Sequence, residues 1–281
     1  MIFSGRGIEV KTPDQLIAMR AAGLVVARTL AAVASEVRPG ITTAELDQVA
    51  AEAIASAGAR PSFLNYGEVN GEGGFPGVVC TSVNEEIVHG IPGERVLAEG
   101  DLVSVDCGAI VDGWHGDSAR TILVGHAAPE VERLSRITSE AMWRGIGAAT
   151  LGGRVGDIGA AIDDFITDDE GGYGIVEDFV GHGIGSSMHQ PPDVPNYRVG
   201  GRTPKIVEGM ALAIEPMLTA GSPENVTHAD EWTVSTLDRQ PACHWEHTIT
   251  VTPQGLWVLT AEDGGEAELG ARGVPFGPLA D

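Results

Sequence analysis

Two aspartates flank a predicted hairpin turn and could hold a metal ion together. Asp112-Gly113 is a strong two-residue turn signal between two strand-like runs, so the chain is expected to fold back on itself there. In that register Asp106 and Asp117 lie on one face as diagonal neighbours, about 7–8 Å apart at the backbone. Ionised carboxylates that converge from there repel each other unless a cation lies between them. A solvated hairpin face is the alternative, but the apolar residues 102–105 make a lone charge costly at Asp106.

Two glutamates interrupt strand-like patterns farther along the chain. Glu215 follows the apolar residues 210–214 and precedes Pro216, whereas Glu246 lies inside the strand-like residues 244–251. An acid inside an apolar run needs a compensating partner. Glu215 is therefore a candidate ligand, whereas Glu246 could equally be an exposed strand residue when its segment is considered alone.

Three histidines have neighbours that favour a close approach to a ligand or a turn. His182 lies between two glycines, and His89 and His189 precede Gly90 and Pro191-Pro192. Glycine lets a backbone or a ligand come close, yet each histidine by itself could be an ordinary turn or loop residue. The other histidines have no such setting and are interpreted as structural: His115, His126, His228, His244 and His247.

The candidate ligands, four carboxylates and one histidine, form an oxygen-rich set. Structural zinc sites rely on cysteine and histidine, so this set suits harder divalent ions in a catalytic role. Two such ions about 3.5–4 Å apart can polarise a carbonyl group and supply a nucleophile at neutral pH. From the residues alone, the sequence favours a hydrolase with two metal ions.

The elements that would carry these residues come in blocks. Capping patterns at Thr12 and Thr42, with Gln15 and Glu45 three residues later, begin two helices. The predicted helices span 13–37, 43–58, 129–150 and 155–169, and strand signals fill 78–124 and recur at 175–180, 210–218, 232–237, 244–251 and 256–260. Such blocks predict an α+β fold with an antiparallel sheet. We expect one domain over residues 1–262 and a Gly- and acid-rich tail over 263–281.

A weak internal repeat suggests two similar halves. The order His-Gly-Ile, Glu-Gly, carboxylate occurs twice, each time after two predicted helices. The first copy runs from His89 to Asp106 and the second from His182 to Glu215, with equal spacing between Glu-Gly and the acid. Chance is one explanation. The interpretation we favour is that both halves deliver polar residues to a shared seam.

Short motifs along the chain carry a family resemblance. They are MRAAG at 19–23, CTSVNE at 80–85, HGIPG at 89–93, DCG at 106–108, GDSART at 116–121, GHGIG at 181–185, IEPM at 214–217 and EHT at 246–248. Each motif is modest alone, but all of them in this order are highly specific. Over residues 11–260 the chain closely resembles the type I methionine aminopeptidases, whose pita-bread fold has two halves related by a pseudo-twofold axis.

The resemblance implies a role for each candidate residue. His89 would contact the scissile amide or the substrate amine, His189 would stabilise the carbonyl as it becomes tetrahedral, and Glu215 would also shuttle a proton. The implied reaction is removal of the initiator methionine when the next residue is small. The resemblance also implies two divalent ions, for which Co, Mn, Fe and Zn are all candidates. Their ligands would be Asp106, Asp117, His182, Glu215 and Glu246, and Asp117 and Glu246 would bridge both ions.

The positions that resemble the family's methionine pocket are apolar or polarisable, as a flexible thioether requires. They are Phe63, Tyr66, Phe75, Cys80, Met188 and Trp232. Aromatic residues at such positions could also be ordinary core residues. Residues 67–74 are longer than the family's usual short turn and could reshape the pocket rim.

The charge of the chain excludes several classes of partner. Among 281 residues, 40 are acidic and 17 are basic, which gives a formal net charge of −23. Binding to DNA, RNA or an anionic membrane through general electrostatic attraction requires clustered Lys and Arg. By resemblance, the partners would be nascent polypeptide N-termini. Ribosome contact would be transient unless a basic patch exists at Arg198, Arg202 and Lys205.

Cysteine usage and the N-terminal sequence predict a cytoplasmic protein. Cys80, Cys107 and Cys243 show no CxxC spacing, which fits a reducing compartment. The first residues lack the apolar core of a signal peptide, and no run reaches the roughly 20 apolar residues of a membrane span. The family resemblance suggests a monomer.

Three other functions compete with this interpretation. An Xaa-Pro peptidase of the same fold carries a sizeable N-terminal domain, whereas few residues precede His89 here. A pita-bread interaction module would have lost ligand positions that are filled in this chain. A dinuclear phosphoesterase would need basic residues for phosphate, and Arg120 is the only one close to the ligands in sequence.

Overall fold

The helices begin where capping residues satisfy the first backbone N–H groups. The computed structural model describes residues 7–170 and 172–280. Gln15 N–H donates to Thr12 Oγ1 at 3.4 Å, and Glu45 N–H donates to Thr42 Oγ1 at 3.2 Å, so both predicted capping boxes form. The predicted helices are confirmed with small shifts at their ends: α1 Pro13–Glu36, α2 Thr43–Ser56, α3 Pro129–Ala148 and α4 Val155–Asp164, which continues as a π-helix over Phe165–Glu170.

The strands pair with one another in antiparallel fashion. They are β1 Arg60–Pro61, β2 Val79–Val83, β3 Glu86–Val88, β4 Leu102–Val111, β5 Trp114–Leu123, β6 Gly174–Ile175, β7 Gly181–Gly183, β8 Gln190–Val194, β9 Ala211–Ile214, β10 Met217–Thr219, β11 Asn225–Thr227, β12 Val234–Thr236, β13 Ala242–His244, β14 His247–Thr252 and β15 Gly255–Val258. The order β1-β4-β2, with β5 beside β4, forms the first site-bearing sheet. The order β15-β14-β9-β7-β8 forms the second.

The register predicted for the β4–β5 hairpin is confirmed. Asp106 lies opposite Ala119, and Asp117 lies opposite Gly108. Asp112 and Gly113 both have positive φ angles, as a two-residue hairpin turn requires. The two aspartates therefore share one face of the hairpin.

Each site-bearing sheet is covered by its own pair of helices. α1 packs on β4 and β5, and α2 packs on α1 and β2. α3 and α4 pack on each other and cover the second sheet through β9 and β8. A separate apolar cluster lies under each helix pair, one including Leu30 and Val105 and the other including Ile146 and Leu212. The result is an α+β fold of two helix-and-sheet halves.

The two sheets are joined by short polar contacts between β5 and the start of β14. Glu246 N–H donates to Ala119 O at 3.0 Å, and Ser118 Oγ donates to Glu246 O at 2.5 Å. Thr248 Oγ1 donates to Asp117 O at 2.7 Å. This seam fixes the backbone that carries two of the acids, one from each sheet.

Two predicted strands are each broken at a glutamate, so continuous strands over 210–218 and 244–251 were wrong predictions. The first is divided at Glu215-Pro216 into β9 and β10, and the second at Trp245-Glu246 into β13 and β14. Pro216 has no N–H group to donate to a ladder. The side chains of Glu215 and Glu246 instead face a cavity at the seam.

Other strands are shorter than expected or were not expected. Over 232–237 only β12 pairs, because Trp232 N–H and Thr233 N–H both donate to Asp230 Oδ1 at 2.9 Å. Over 175–180 only the first residue belongs to β6. The sequence prediction also missed β8, which includes Pro191-Pro192, and the short strand β11.

Helix α1 is long and apolar enough to span a membrane by length and composition, contrary to the expectation that no segment would be. Its residues Met19, Val26 and Val33 are fully buried, and the helix packs on β4 and β5. Burial of one apolar stripe is typical of a core helix in a folded domain.

Residues 263–280, expected as a tail, pack against the second sheet. They contain a short helix, α5 (Glu266–Ala271), whose Leu269 is completely buried. Phe276 bridges to Leu256 in β15, and Gly277 N–H donates to Leu256 O at 2.9 Å. This stretch therefore contributes side chains to the core.

Candidate metal centre and adjoining cavity

The five candidate ligands come from the two sheets that meet at the seam. The β4–β5 hairpin supplies Asp106 and Asp117, whose carboxyl groups lie within hydrogen-bonding contact of each other. Glu215 directly follows β9 and Glu246 directly precedes β14, and the antiparallel register of those strands places the two opposite each other. His182 lies on β7, the strand beside β9.

The proton of His182 is fixed by a backbone carbonyl. Nδ1 lies 3.0 Å from Gly183 O, so Nδ1 is the donor and Nε2 presents a lone pair. That lone pair is 3.5 Å from Glu215 Oε1 and 3.8 Å from Asp117 Oδ2. Burial lowers the pKa of His182 to about 3, so the imidazole is neutral. A lone pair that faces two carboxylate oxygens is repelled unless a cation lies between them.

The carboxyl groups of the cluster resist ionisation by themselves. Burial raises the pKa of Asp106 to about 7 and that of Glu215 to about 8. Burial also raises the pKa of Asp117 and of Glu246 well above their usual range, and the neighbouring carboxylates add to both shifts. Four ionised acids in this space therefore require added positive charge.

Several oxygens of the cluster are left without partners. Asp106 Oδ1, Asp117 Oδ1 and Glu246 Oε1 are buried and have no hydrogen-bond partner among the residues described. Each such atom costs about 1–3 kcal/mol if nothing binds it. One ligand atom each from Asp117, His182 and Glu246 lies within 4.8 Å of the others. Hard oxygen donors with one imidazole suit Mn, Fe, Co or Zn, so these residues fit a divalent metal centre.

A cavity of about 150 Å³ connects this cluster to an apolar wall. Every residue that the sequence predicted for the site lines it: Phe63, Tyr66, Phe75, Cys80, His89, Asp106, Asp117, His182, Met188, His189, Glu215, Trp232 and Glu246. One cavity thus brings charged and apolar groups within reach of a single small substrate.

The apolar wall is an interlocked set of aromatic and sulfur-containing side chains. Phe63 and Phe75 meet edge to face with ring centroids 6.5 Å apart, and Phe75 meets Trp232 at 5.3 Å. Cys80 and Met188 belong to the same cluster and are each 4 % exposed. This wall is suited to an unbranched, polarisable side chain.

Two further histidines lie beside the cluster in neutral form. Tyr66 Oη is 2.6 Å from His189 Nδ1, and the His189 ring lies 4.3 Å from the His182 ring. Burial lowers the pKa of His189, and it lowers the pKa of His89 to about 4. His89 has a left-handed backbone, with φ of 59°, and its ring packs edge to face on Phe179 at 5.5 Å.

The chain is similar to known metallopeptidases over most of its length. The profile described as metallopeptidase family M24 matches residues 17–253. The chain belongs to metallopeptidase family M24. It is 44% identical over 254 residues to a methionine aminopeptidase of Clostridium acetobutylicum, covering 90% of this chain and 98% of that protein. It is 45% identical over 260 residues to methionine aminopeptidase 1 of Mycobacterium tuberculosis, covering 91% and 96%.

Solved structures of M24 enzymes share the architecture. A methionine aminopeptidase from Rickettsia prowazekii superposes with a TM-score of 0.85 and 38% identity, covering 90% of this chain and 100% of that one. A prolidase from Pyrococcus furiosus superposes with a TM-score of 0.68 and 21% identity, covering 65% of that chain. The second likeness shows the fold alone, which is the α+β pita-bread fold.

At the rim of the M24 cavity, residues 67–74 extend a small hairpin. Val69 bridges to Glu72 at its tip, and Phe75 N–H donates to Tyr66 O at 2.9 Å at its base. A Cβ added at Gly67 would lie 3.2 Å from the Trp232 ring. The longer segment thus holds Tyr66 and Phe75 side by side and packs on Trp232.

His244, which the sequence led us to interpret as structural, lies directly beside the cluster. His244 is 2 % exposed, and its Nε2 lies 3.5 Å from Glu215 Oε2. It also lines a smaller space beside His89 and Asp106. The available signal was spacing, because a residue two positions before Glu246 would share its face in a strand.

Proposed function

We propose that this chain hydrolyses the first peptide bond of polypeptides that begin with methionine, when the second residue is small. The observation that carries the proposal is the single cavity in which a carboxylate–imidazole cluster adjoins an apolar, sulfur-containing wall. Relatives at 44–45% identity that are named methionine aminopeptidases support it. The restriction to small second residues rests on the family resemblance.

The cluster would hold two divalent ions. The residues that would hold them are Asp106, Asp117, His182, Glu215 and Glu246. When bound, such ions polarise the scissile carbonyl and make a water molecule nucleophilic at neutral pH. The unpartnered buried oxygens and the lone pair of His182 support this assignment.

The residues around the cluster would bind and orient the substrate. The methionine side chain would occupy the space beside Phe75, Cys80 and Trp232, with Phe63, Tyr66 and Met188 completing the wall. A Tyr66 hydroxyl that donates to His189 Nδ1 leaves the ring proton on Nε2. His189 Nε2–H would then donate to the carbonyl oxygen as negative charge develops there.

Proton movement would use the remaining polar groups. Glu215 would accept a proton from the attacking water and pass it to the leaving amine. His89, held by its left-handed backbone and by Phe179, would contact the scissile amide or the substrate amine. His244 lies against Glu215 Oε2 and would restrict the rotation of that carboxyl group.

A peptide panel tests the proposed specificity. We expect release of free methionine from Met-Ala-Ser and almost none from Met-Lys-Ser, measured by chromatography of the products. Equal cleavage of both peptides would contradict the proposal. Cleavage confined to peptides with proline in second position would instead support an Xaa-Pro peptidase, the alternative that the prolidase likeness raises at the level of fold.

The proposed setting is the cytoplasm, where nascent chains carry an initiator methionine. We propose a monomer that contacts the ribosome transiently. Of the three basic residues considered for a docking patch, Arg198 forms an ion pair with Asp164, while Arg202 and Lys205 are exposed. Exchange of all three for Ala should leave co-sedimentation with ribosomes unchanged; loss of binding would show that the patch is used.

A further inference from the structure

The loop between β7 and β8 presents two cavity residues but has little regular structure of its own. Met188 and His189 both line the cavity from this loop. Gly185 N–H donates to Ser187 O at 3.0 Å, and His115 N–H donates to Gly185 O at 2.9 Å. These bonds hold the start of the loop, and its end leads directly into β8, where Gln190 lies opposite Gly183.

The chain segment just before α1 contacts both ends of this loop. The Glu9 carboxylate accepts from Ser186 Oγ at 2.5 Å and from Gln190 Nε2 at 2.6 Å. Ser186 N–H also donates to Glu9 Oε1 at 3.4 Å. One carboxylate therefore binds both sides of the Met188–His189 pair and closes the loop from its outer face.

Lys11 contacts both Glu9 and Gln190 from the buried side of the segment. Its side chain is 1 % exposed, and Nζ lies 3.9 Å from Glu9 Oε1. Nζ donates to Glu9 O at 3.1 Å and to Gln190 Oε1 at 3.4 Å. Lys11 N–H donates to Gly209 O at 2.8 Å, two residues before β9. The segment is thereby fixed to the sheet that carries the candidate metal ligands.

Space is tight where this segment meets the loop. A Cβ added at Gly185 would lie 2.4 Å from Lys11 Cε and 2.7 Å from Glu9 Oε1. The glycine is therefore required for the two side chains to reach the loop. Such complementarity is expected of a contact that positions the backbone rather than of one between mobile surface groups.

We propose that Glu9, with Lys11, is a positioning residue that sets the distance of His189 from the substrate carbonyl. The inference rests on the role proposed for His189. Tyr66 Oη contacts the His189 ring from inside the cavity, at 2.6 Å from Nδ1, and Glu9 holds the flanking backbone and Gln190 from outside. Catalytic hydrogen bonds are sensitive to such placement, since a shift of about 1 Å can cost about 100-fold in rate.

The test compares Glu9→Ala with Glu99→Ala in the full chain. Glu99 is a matched control because its carboxylate also fastens a loop, at His126 N–H, away from the cavity. Hydrogen exchange of amides 185–190 should become at least about tenfold faster in Glu9→Ala and stay unchanged in Glu99→Ala. For Met-Ala-Ser, kcat should fall about 10- to 100-fold in Glu9→Ala only.

A double-variant cycle separates positioning from general destabilisation. In a His189→Ala background, Glu9→Ala should cause no further loss of kcat, because the group it positions is gone. A loss that multiplies with that of His189→Ala, or exchange of the loop at the wild-type rate, would overturn the inference. Ser186→Ala removes the loop-side partner and serves if Glu9→Ala fails to fold.

Failure of the role proposed for His189 can be distinguished from failure of the contact proposed for Glu9. If His189→Ala retains full turnover, the role given to His189 fails. The exchange of amides 185–190, which needs no substrate, then decides by itself whether Glu9 holds the loop.

Discussion

At the scale of single residues, the proposed function depends on the proton positions of two imidazoles, His182 and His189. Gly183 O fixes the proton of His182 on Nδ1, which turns the Nε2 lone pair toward the carboxylates. At His189 the proton position depends on Tyr66: a hydroxyl that donates to Nδ1 would leave a donor on Nε2. In the proposed function, the first imidazole would bind a cation and the second would bind an oxyanion.

His189→Ala is expected to lower kcat for Met-Ala-Ser about 100- to 1,000-fold, the range for loss of one oxyanion donor. Metal affinity, measured by calorimetric titration with Mn²⁺, should stay within about twofold because His189 is outside the proposed ligand set. His126→Ala removes a fully exposed imidazole and should change neither quantity. Unchanged kcat in His189→Ala would remove this residue from the proposed role.

Tyr66→Phe keeps the aromatic ring of the wall and deletes the hydroxyl bound to His189. We expect kcat to fall about tenfold, because the ring can then adopt either tautomer and rotate. KM for Met-Ala-Ser should change little. Phe63→Leu, which alters the wall where the ring meets Phe75, should instead act mainly on KM; the reverse pattern would show that Tyr66 only binds the side chain.

At the scale of elements, the sequence predicts well where local chemistry decides the structure. Asp112-Gly113 fixes the hairpin register, and with it the shared face of Asp106 and Asp117. The breaks at Glu215 and Glu246 were not predictable from periodicity, because strand-like residues continue on both sides of each acid. They are set by contacts between sheets, such as the bond from Ser118 Oγ to Glu246 O.

Two glycines bring α1 against the hairpin. A Cβ on Gly23 would lie 2.1 Å from Leu259 O, and a Cβ on Gly116 would lie 2.7 Å from Gly23 N. Gly23→Ala should therefore destabilise the protein by about 1–3 kcal/mol through overpacking, measured by urea unfolding. Gly270→Ala, in α5 where no atom of the described residues lies within 4 Å of the added Cβ, should be neutral or stabilising by up to about 1 kcal/mol. Equal effects would contradict the close approach.

At the scale of the whole molecule, the site is the place where two halves meet, so its geometry depends on both. The amino-acid composition could not predict that the site lies between two halves. The net charge of −23 indicated which partners to exclude, but it did not show that residues after 262 pack into the core. The sequence of that stretch is rich in Gly and acid, and its few apolar residues become informative only once β15 is present for them to contact.

The packing of the C-terminal stretch has a measurable consequence. Leu269→Ala removes a completely buried side chain and should lower the unfolding free energy by about 2–5 kcal/mol. Leu237→Ala truncates a leucine that is 57% exposed, so its effect should stay within about 0.5 kcal/mol. If both variants unfold at the same urea concentration as the wild type, residues 263–280 are a dispensable tail.

The central claim is that hydrolysis requires divalent cations held by the carboxylate cluster. The most direct measurement is a calorimetric titration of Mn²⁺ into chelator-treated protein, with methionine release from Met-Ala-Ser followed at each addition. We predict an inactive starting state, activity that rises with the first sites filled, and loss of both binding and activity in Asp117→Asn. Full activity after chelation, or in Asp117→Asn without Mn²⁺ binding, would contradict the account.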